Sequence, residues 1–136
     1  MIDDRLRARL EEASDGLVYS SESDRPFEFV RFTGATIPVT HLTAAEIAAI
    51  TDSLGANVRE VSLDELLARH IERVDVQDAE SQRMIPRYEA LRDSLRRTLG
   101  TVRVFRLGVT EVRCLVLGND PATGELVGLE TIAIET

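Results

Sequence analysis

The 136-residue chain has no tryptophan, one cysteine, two histidines and no lysine, all 16 of its basic residues being arginine. Without lysine it has neither a Schiff-base nucleophile nor a phosphate-loop lysine. Its one thiol, Cys114, has no second cysteine to pair with and lies in the apolar run Val112 to Leu117, where a reduced core thiol is expected. No apolar run approaches the ~20 residues of a membrane helix, so no bilayer span is expected. The opening Met1-Ile2-Asp3-Asp4-Arg5 places acids where a secretory signal needs a basic region and an apolar stretch, which points to the cytoplasm. There is no His-Glu-x-x-His, no paired-cysteine motif and no calcium loop, and the glycines are too scattered to cradle a phosphate after a strand. No metal or cofactor of the chain's own is expected.

What is present suits one domain over residues 1–136, with hydrophobic residues at 43% and charged residues at 29%. The net charge is −8, acids are spread along the chain and no basic block occurs, which argues against direct binding of nucleic acid. A basic protein partner fits that balance better.

Ile2, Leu6, Leu10 and Ala13 recur at helical spacing and end at Gly16. Leu17 to Ser20 and Phe27 to Thr33 read as strands joined by an exposed loop, Ser21 to Pro26. Thr43 with Glu46, and Ser62 with Glu65, form capping-box patterns. They precede the apolar stripes Ile47, Ile50, Leu54 and Leu63, Leu66, Leu67, Ile71, Val74, with the short run Val58 to Val61 between them. A fourth helix carries Met84, Tyr88, Leu91, Leu95 and Leu99, with Pro86 marking either its first turn or a kink. Val102 to Leu107, Glu111 to Leu117 and Leu126 to Ile134 then form a β-meander. Because Cys114-Leu115-Val116-Leu117 is apolar on both faces, helices should cover both sides of the sheet. The expected fold is α+β, a three-layer α/β/α sandwich around a mostly antiparallel sheet.

Catalytic groups do not assemble in this pattern. His70 shares a stripe with Leu63 and Leu67 and is read as structural, at the core boundary. His41, after Pro38-Val39-Thr40, is read as fixing a loop. Asp75, Asp78 and Glu80 are read as solvated charge at the start of the fourth helix rather than a carboxylate pair. An enzyme is therefore not expected.

Four short segments near the start are Ala13-Ser14-Asp15-Gly16-Leu17, Ser21-Glu22-Ser23, Pro26-Phe27-Glu28 and Pro38-Val39-Thr40-His41. Near the end stand Phe105-Arg106-Leu107-Gly108, the Gly118 turn with Pro121, and the closing Glu135-Thr136. In this joint order the sequence resembles the bacterial nuclease A inhibitor family over roughly its first third and last quarter. The middle, Leu42 to Leu99, matches in its pattern of elements.

That resemblance implies the three-layer fold and a protein inhibitor of a magnesium-dependent, sugar-nonspecific DNA/RNA endonuclease. It implies that Glu22 meets a positively charged site in the nuclease cleft and that Thr136 ligates the nuclease's magnesium ion. Ser21, Ser23, Asp24 and Glu135 flank those two positions as further partner-binding candidates. The chemistry is consistent, since a hard cation takes oxygen ligands and a carboxylate offers an arginine fork two acceptors. Two such anions would imitate backbone phosphates. The alternative is an interaction or scaffold module of the same fold, binding another partner through the arginine-rich segments Arg69 to Arg73 and Arg83 to Arg97.

Overall fold

The computed structural model describes residues 5–71 and 79–135, without the side chains of Glu80 and Ser81. The chain runs through helix α1 (Arg5–Ser14) and strands β1 (Val18–Ser20), β2 (Asp24–Pro26) and β3 (Glu28–Phe32). After a 3-10 turn (Val39–His41) come α2 (Ala44–Ile50), β4 (Val58–Val61), α3 (Leu63–Ile71) and α4 (Ala79–Leu99). It closes with β5 (Arg103–Leu107), β6 (Glu111–Asn119) and β7 (Leu126–Ile134). Among the described residues the fold is α+β: a five-stranded antiparallel sheet in the order β3-β7-β6-β5-β4, with β1 and β2 forming a separate hairpin. No helix among the described residues is long and apolar enough to cross a membrane.

The expected double-faced burial is present in β6. Val112, Cys114 and Val116 enter one core with Leu10, Leu63, Leu66, Leu67, Tyr88, Leu91 and Leu95 of α1, α3 and α4. Leu115 and Leu117 enter the other, with Ile47 of α2 and with Val39 and Leu42 around the 3-10 turn. One layer is thus three helices and the opposite layer a short helix with its flanking loop. Period-two alternation decides which residue serves which core.

Local signals set most element ends. Thr43 Oγ1 accepts the Glu46 N–H (3.2 Å) while Glu46 Oε1 accepts the Thr43 N–H (3.1 Å), a complete capping box. Ser62 Oγ accepts the Glu65 N–H (2.9 Å) at the start of α3. Of the two readings of Pro86, first turn or kink, the first is excluded, since α4 begins at Ala79 and contains Pro86 in its interior. The assignment of Val74 to the third helix, and of Asp75 and Asp78 to the start of the fourth, falls outside the described residues.

The loop expected over Ser21 to Pro26 contains an unexpected strand. Asp24, Arg25 and Pro26 are all exposed and carry no strand-forming pattern; they are extended because they pair with Ser20, Tyr19 and Val18. Thr131 Oγ1 holds this strand to β7 by donating to Arg25 O (3.3 Å).

At the far end of the sheet, Arg31 Nη1 donates to Asp120 Oδ2 (2.9 Å) and Glu125 Oε1 (3.0 Å), tying β3 to the β6–β7 turn. Burial pushes the Asp120 carboxyl up, but the Ala122 N–H and the Arg31 guanidinium outweigh it and hold its pKa below the ordinary value. Glu125 is held low as well, first by the Gly34 N–H and then by Arg31.

Both carboxylates titrate lower in the folded than in the unfolded state. Their contribution is therefore complete above about pH 5, clear of the unfolded values, and is lost as pH falls through the folded ones. Arg31→Met should raise the Asp120 pKa, followed by NMR titration, and move the acid-unfolding midpoint to higher pH. A second expectation concerns Gly128, where an added Cβ would lie 1.7 Å from Val116 O. Gly128→Ala must push β6 and β7 apart and should cost about 3 kcal/mol or more in denaturant unfolding.

Candidate functional site

The β1–β2 hairpin turns through three residues, Ser21, Glu22 and Ser23, with the Glu22 side chain exposed at the tip. Three-residue loops need internal hydrogen bonds to hold one shape. Here the Ser21 N–H donates to Ser23 O (3.0 Å) and Ser21 Oγ donates to the same oxygen (3.1 Å). Ser21 Oγ also accepts the Ser23 N–H (3.4 Å) and, from the far end of the sequence, the Ile134 N–H (3.0 Å). A hydroxyl has one proton and two lone pairs, and all three are engaged. The Glu22 N–H completes the junction by donating to Ile134 O (3.2 Å). The acidic loop and the end of β7, 113 positions apart, are therefore hydrogen-bonded neighbours.

The other edge of the hairpin is closed by side chains from α3 and α4. Tyr19 pairs with Arg25, so the peptide groups of Val18 and Ser20 point away from β2. Tyr88 Oη donates to Val18 O (2.6 Å) and accepts the Val18 N–H (3.3 Å). His70 Nε2 accepts the Ser20 N–H (3.2 Å), and Arg69 donates to Ser20 O while its guanidinium lies 5.0 Å from the centre of the Tyr19 ring. His70 stacks on Tyr88 with ring centres 4.2 Å apart and meets Tyr19 edge-on at 5.8 Å. Helix side chains thus replace the neighbouring strand that a sheet edge would otherwise recruit.

His70 is buried and structural, as its stripe implied. Its bond to Ser20 is not visible in sequence spacing, nor are the roles of Arg69 and Tyr88. The one available signal was a polar ring on an apolar stripe, which must find a partner when buried. His41 is the exposed last residue of the 3-10 turn, far from this junction in the topology. An open groove of about 520 Å³ between α1 and the start of β3, lined by residues including Arg7, Glu11, Asp15, Phe27 and Phe29, contains neither histidine. Cys114 is fully buried, and desolvation pushes its thiol up to about 11 against the smaller opposing pull of Arg106.

The remaining sequence candidates distribute as follows. Asp24 is exposed at the start of β2, and Ser23 is half-buried. The Glu135 N–H donates to Thr110 O (2.7 Å), and its carboxylate pairs with Arg106. Burial opposes the Arg106 charge, but Glu135 reverses the balance and its pKa lies above the ordinary value. Thr136 lies outside the described residues, as do Asp75 and Asp78, and the Glu80 side chain is not described. Among the described residues no three His, Cys, Asp or Glu side chains are grouped to hold a metal ion.

The arrangement presents a carboxylate on a short, doubly anchored hairpin, next to the last residues of a central strand. Such a site suits recognition by charge, with its geometry set before any partner arrives. Compared with known proteins, residues 4–136 match the model of a family described as nuclease A inhibitor-like protein. A comparison with curated proteins finds no match.

Ser21→Ala removes the hydroxyl that joins the hairpin to β7. Amide exchange at Ile134 and Ser23 should accelerate roughly tenfold, the loss of about 1.4 kcal/mol of local hydrogen bonding, with the global unfolding midpoint nearly unchanged. Cys114 should stay unreactive toward a thiol reagent at pH 8 until denaturant exposes it.

Proposed function

The chain belongs to the nuclease A inhibitor-like protein family, and from that premise we propose that it blocks a magnesium-dependent, sugar-nonspecific DNA/RNA endonuclease. Family membership supports nuclease inhibition in general and a protein partner. The finer reading is that Glu22 and the α-carboxylate of Thr136 enter the nuclease cleft as stand-ins for nucleic-acid phosphates.

The observation that carries this reading is the junction of Ser21 and Glu22 with Ile134. Two anions at opposite ends of a sequence make a joint mimic only if the fold brings their segments side by side, and the loop is bonded to β7 two residues before Thr136. The nuclease holds basic groups for phosphate and a hard cation that takes oxygen ligands. Glu22 supplies two acceptors to an arginine fork, and Thr136 supplies a carboxylate with a hydroxyl beside it. Neither offers a scissile phosphodiester bond, so occupancy ends in blockade. Asp24 adds to the negative field around Glu22, and Glu135 is itself paired with Arg106. The net charge of −8 accelerates encounter with a basic cleft, and this contribution weakens as salt screens it. In this role the chain acts without catalysis, without a cofactor, without binding nucleic acid, and in the cytoplasm.

A plasmid-cleavage assay with such a nuclease from the same organism tests the reading. Glu22→Gln, and separately removal of Thr136, should each weaken inhibition by at least about tenfold, the usual scale for an anchoring charge at an interface centre. A C-terminal tag should weaken it far more than an N-terminal one. Undiminished inhibition by both variants would remove the assigned mechanism.

A further inference from the structure

Among the described residues, the most exposed large hydrophobic side chains are Leu54 (79% exposed) and Val109 (67%). Isolated exposed hydrophobics are common and carry no meaning alone. These two occupy the tips of two turns at the same end of the sheet as Glu22. Glu22 N–H bonds to Ile134 O, Glu135 N–H to Thr110 O, and Gly108 N–H to Asn57 O (3.2, 2.7 and 2.9 Å). These bonds set four segments side by side: the acidic loop, the end of β7, the β5–β6 turn and the α2–β4 loop. Across β7, β6, β5 and β4, at the ~4.8 Å spacing of adjacent strands, the row from Glu22 to the Leu54 loop is roughly 19 Å wide, inside a standard interface.

Both turns are tightly folded on their own backbone. Gly108 has φ +107°, and an added Cβ would lie 2.4 Å from Glu111 O, so the backbone that presents Val109 is tightly closed. Leu54 and Gly55 are the central residues of a turn in which the Ala56 N–H donates to Ser53 O (3.0 Å), with Gly55 at φ +87°. The Ser53 N–H anchors that turn to Ala48 O (2.8 Å). Solvated turn tips are ordinarily served by polar residues, and Leu and Val there give up that solvation.

We infer that Leu54 and Val109 form an apolar flank of the nuclease-binding edge, packing on an uncharged rim of the cleft that receives Glu22. This rests on the function proposed above. It divides the interface into two parts with different physics: charges that steer and fix register, and apolar contacts that lengthen residence once docked. Interfaces of this kind place apolar anchors beside desolvated charge. The occupant is therefore a protein whose basic cleft is bordered by apolar surface.

The test compares Leu54→Ser, Val109→Ser, the double variant and Glu22→Gln in nuclease inhibition from about 50 to about 300 mM salt, a range over which screening changes markedly. Ala90→Ser, on the exposed face of α4, serves as control. The neutral serine substitutions should each weaken inhibition about fivefold to tenfold, and the double variant more, by a factor that stays constant with salt and with no fall in thermal midpoint. The Glu22→Gln loss should shrink as salt rises. Wild-type potency of the double variant alongside a weakened Glu22→Gln would overturn this inference and leave the acidic loop in place. Undiminished Glu22→Gln with a weakened double variant would overturn the loop assignment instead, while keeping the apolar flank.

Discussion

Ser21 Oγ donates to Ser23 O and accepts the N–H groups of Ser23 and Ile134, so one hydroxyl closes the hairpin loop and fastens it to the last strand. The rest of the candidate edge depends on that junction. A loop acid can adopt many positions, and ordering it on binding would cost affinity. Held against β7, Glu22 shares the frame of the central sheet, whose residues bury on both faces and move little.

The helices contribute to that frame less by bulk than by what their polar atoms reach. His70 and Tyr88 stack on each other and present acceptors and donors to Val18 and Ser20, so the unpaired edge of β1 is satisfied inside the molecule. At the opposite end of the sheet, Arg31 of β3 binds two carboxylates of the β6–β7 turn and fixes where β7 begins. Strand β7 thus enters from an ion-paired turn and leaves through the hairpin junction. The order of its residues in the sheet follows from those two ends and from the close approach at Gly128.

Much of the fold was legible because the relevant signals are local. The capping pair Thr43 and Glu46, the run Val58 to Val61 and the doubly apolar Cys114 to Leu117 each act within a few residues, and each sits as expected. Strand β2 was hidden because Asp24, Arg25 and Pro26 have no buried face, and only their partner makes them a strand. Pro86 left first turn and kink both open, because an interior proline is costly yet tolerated when the helix is packed on both sides of it, as Met84 and Tyr88 are here. The individual acids of the site could be named from the order of short segments at the two ends. That the hairpin loop lies beside the end of β7 could not, because it rests on hydrogen bonds between positions 113 apart. Leu54 was read as the last residue of a helical stripe, whereas α2 ends at Ile50 and Leu54 stands exposed on the following turn.

The claim at the centre of this account is that the hairpin tip and the end of the chain enter the metal-bearing cleft of a nuclease together. Replacing the nuclease's magnesium with paramagnetic manganese and recording amide spectra of the isotopically labelled inhibitor in the complex tests it directly. The account predicts that resonances of residues 21–24 and 134–136 broaden first, while those of α4 stay sharp. Broadening confined to α1 and α4, with the hairpin and the end of β7 unaffected, would contradict it.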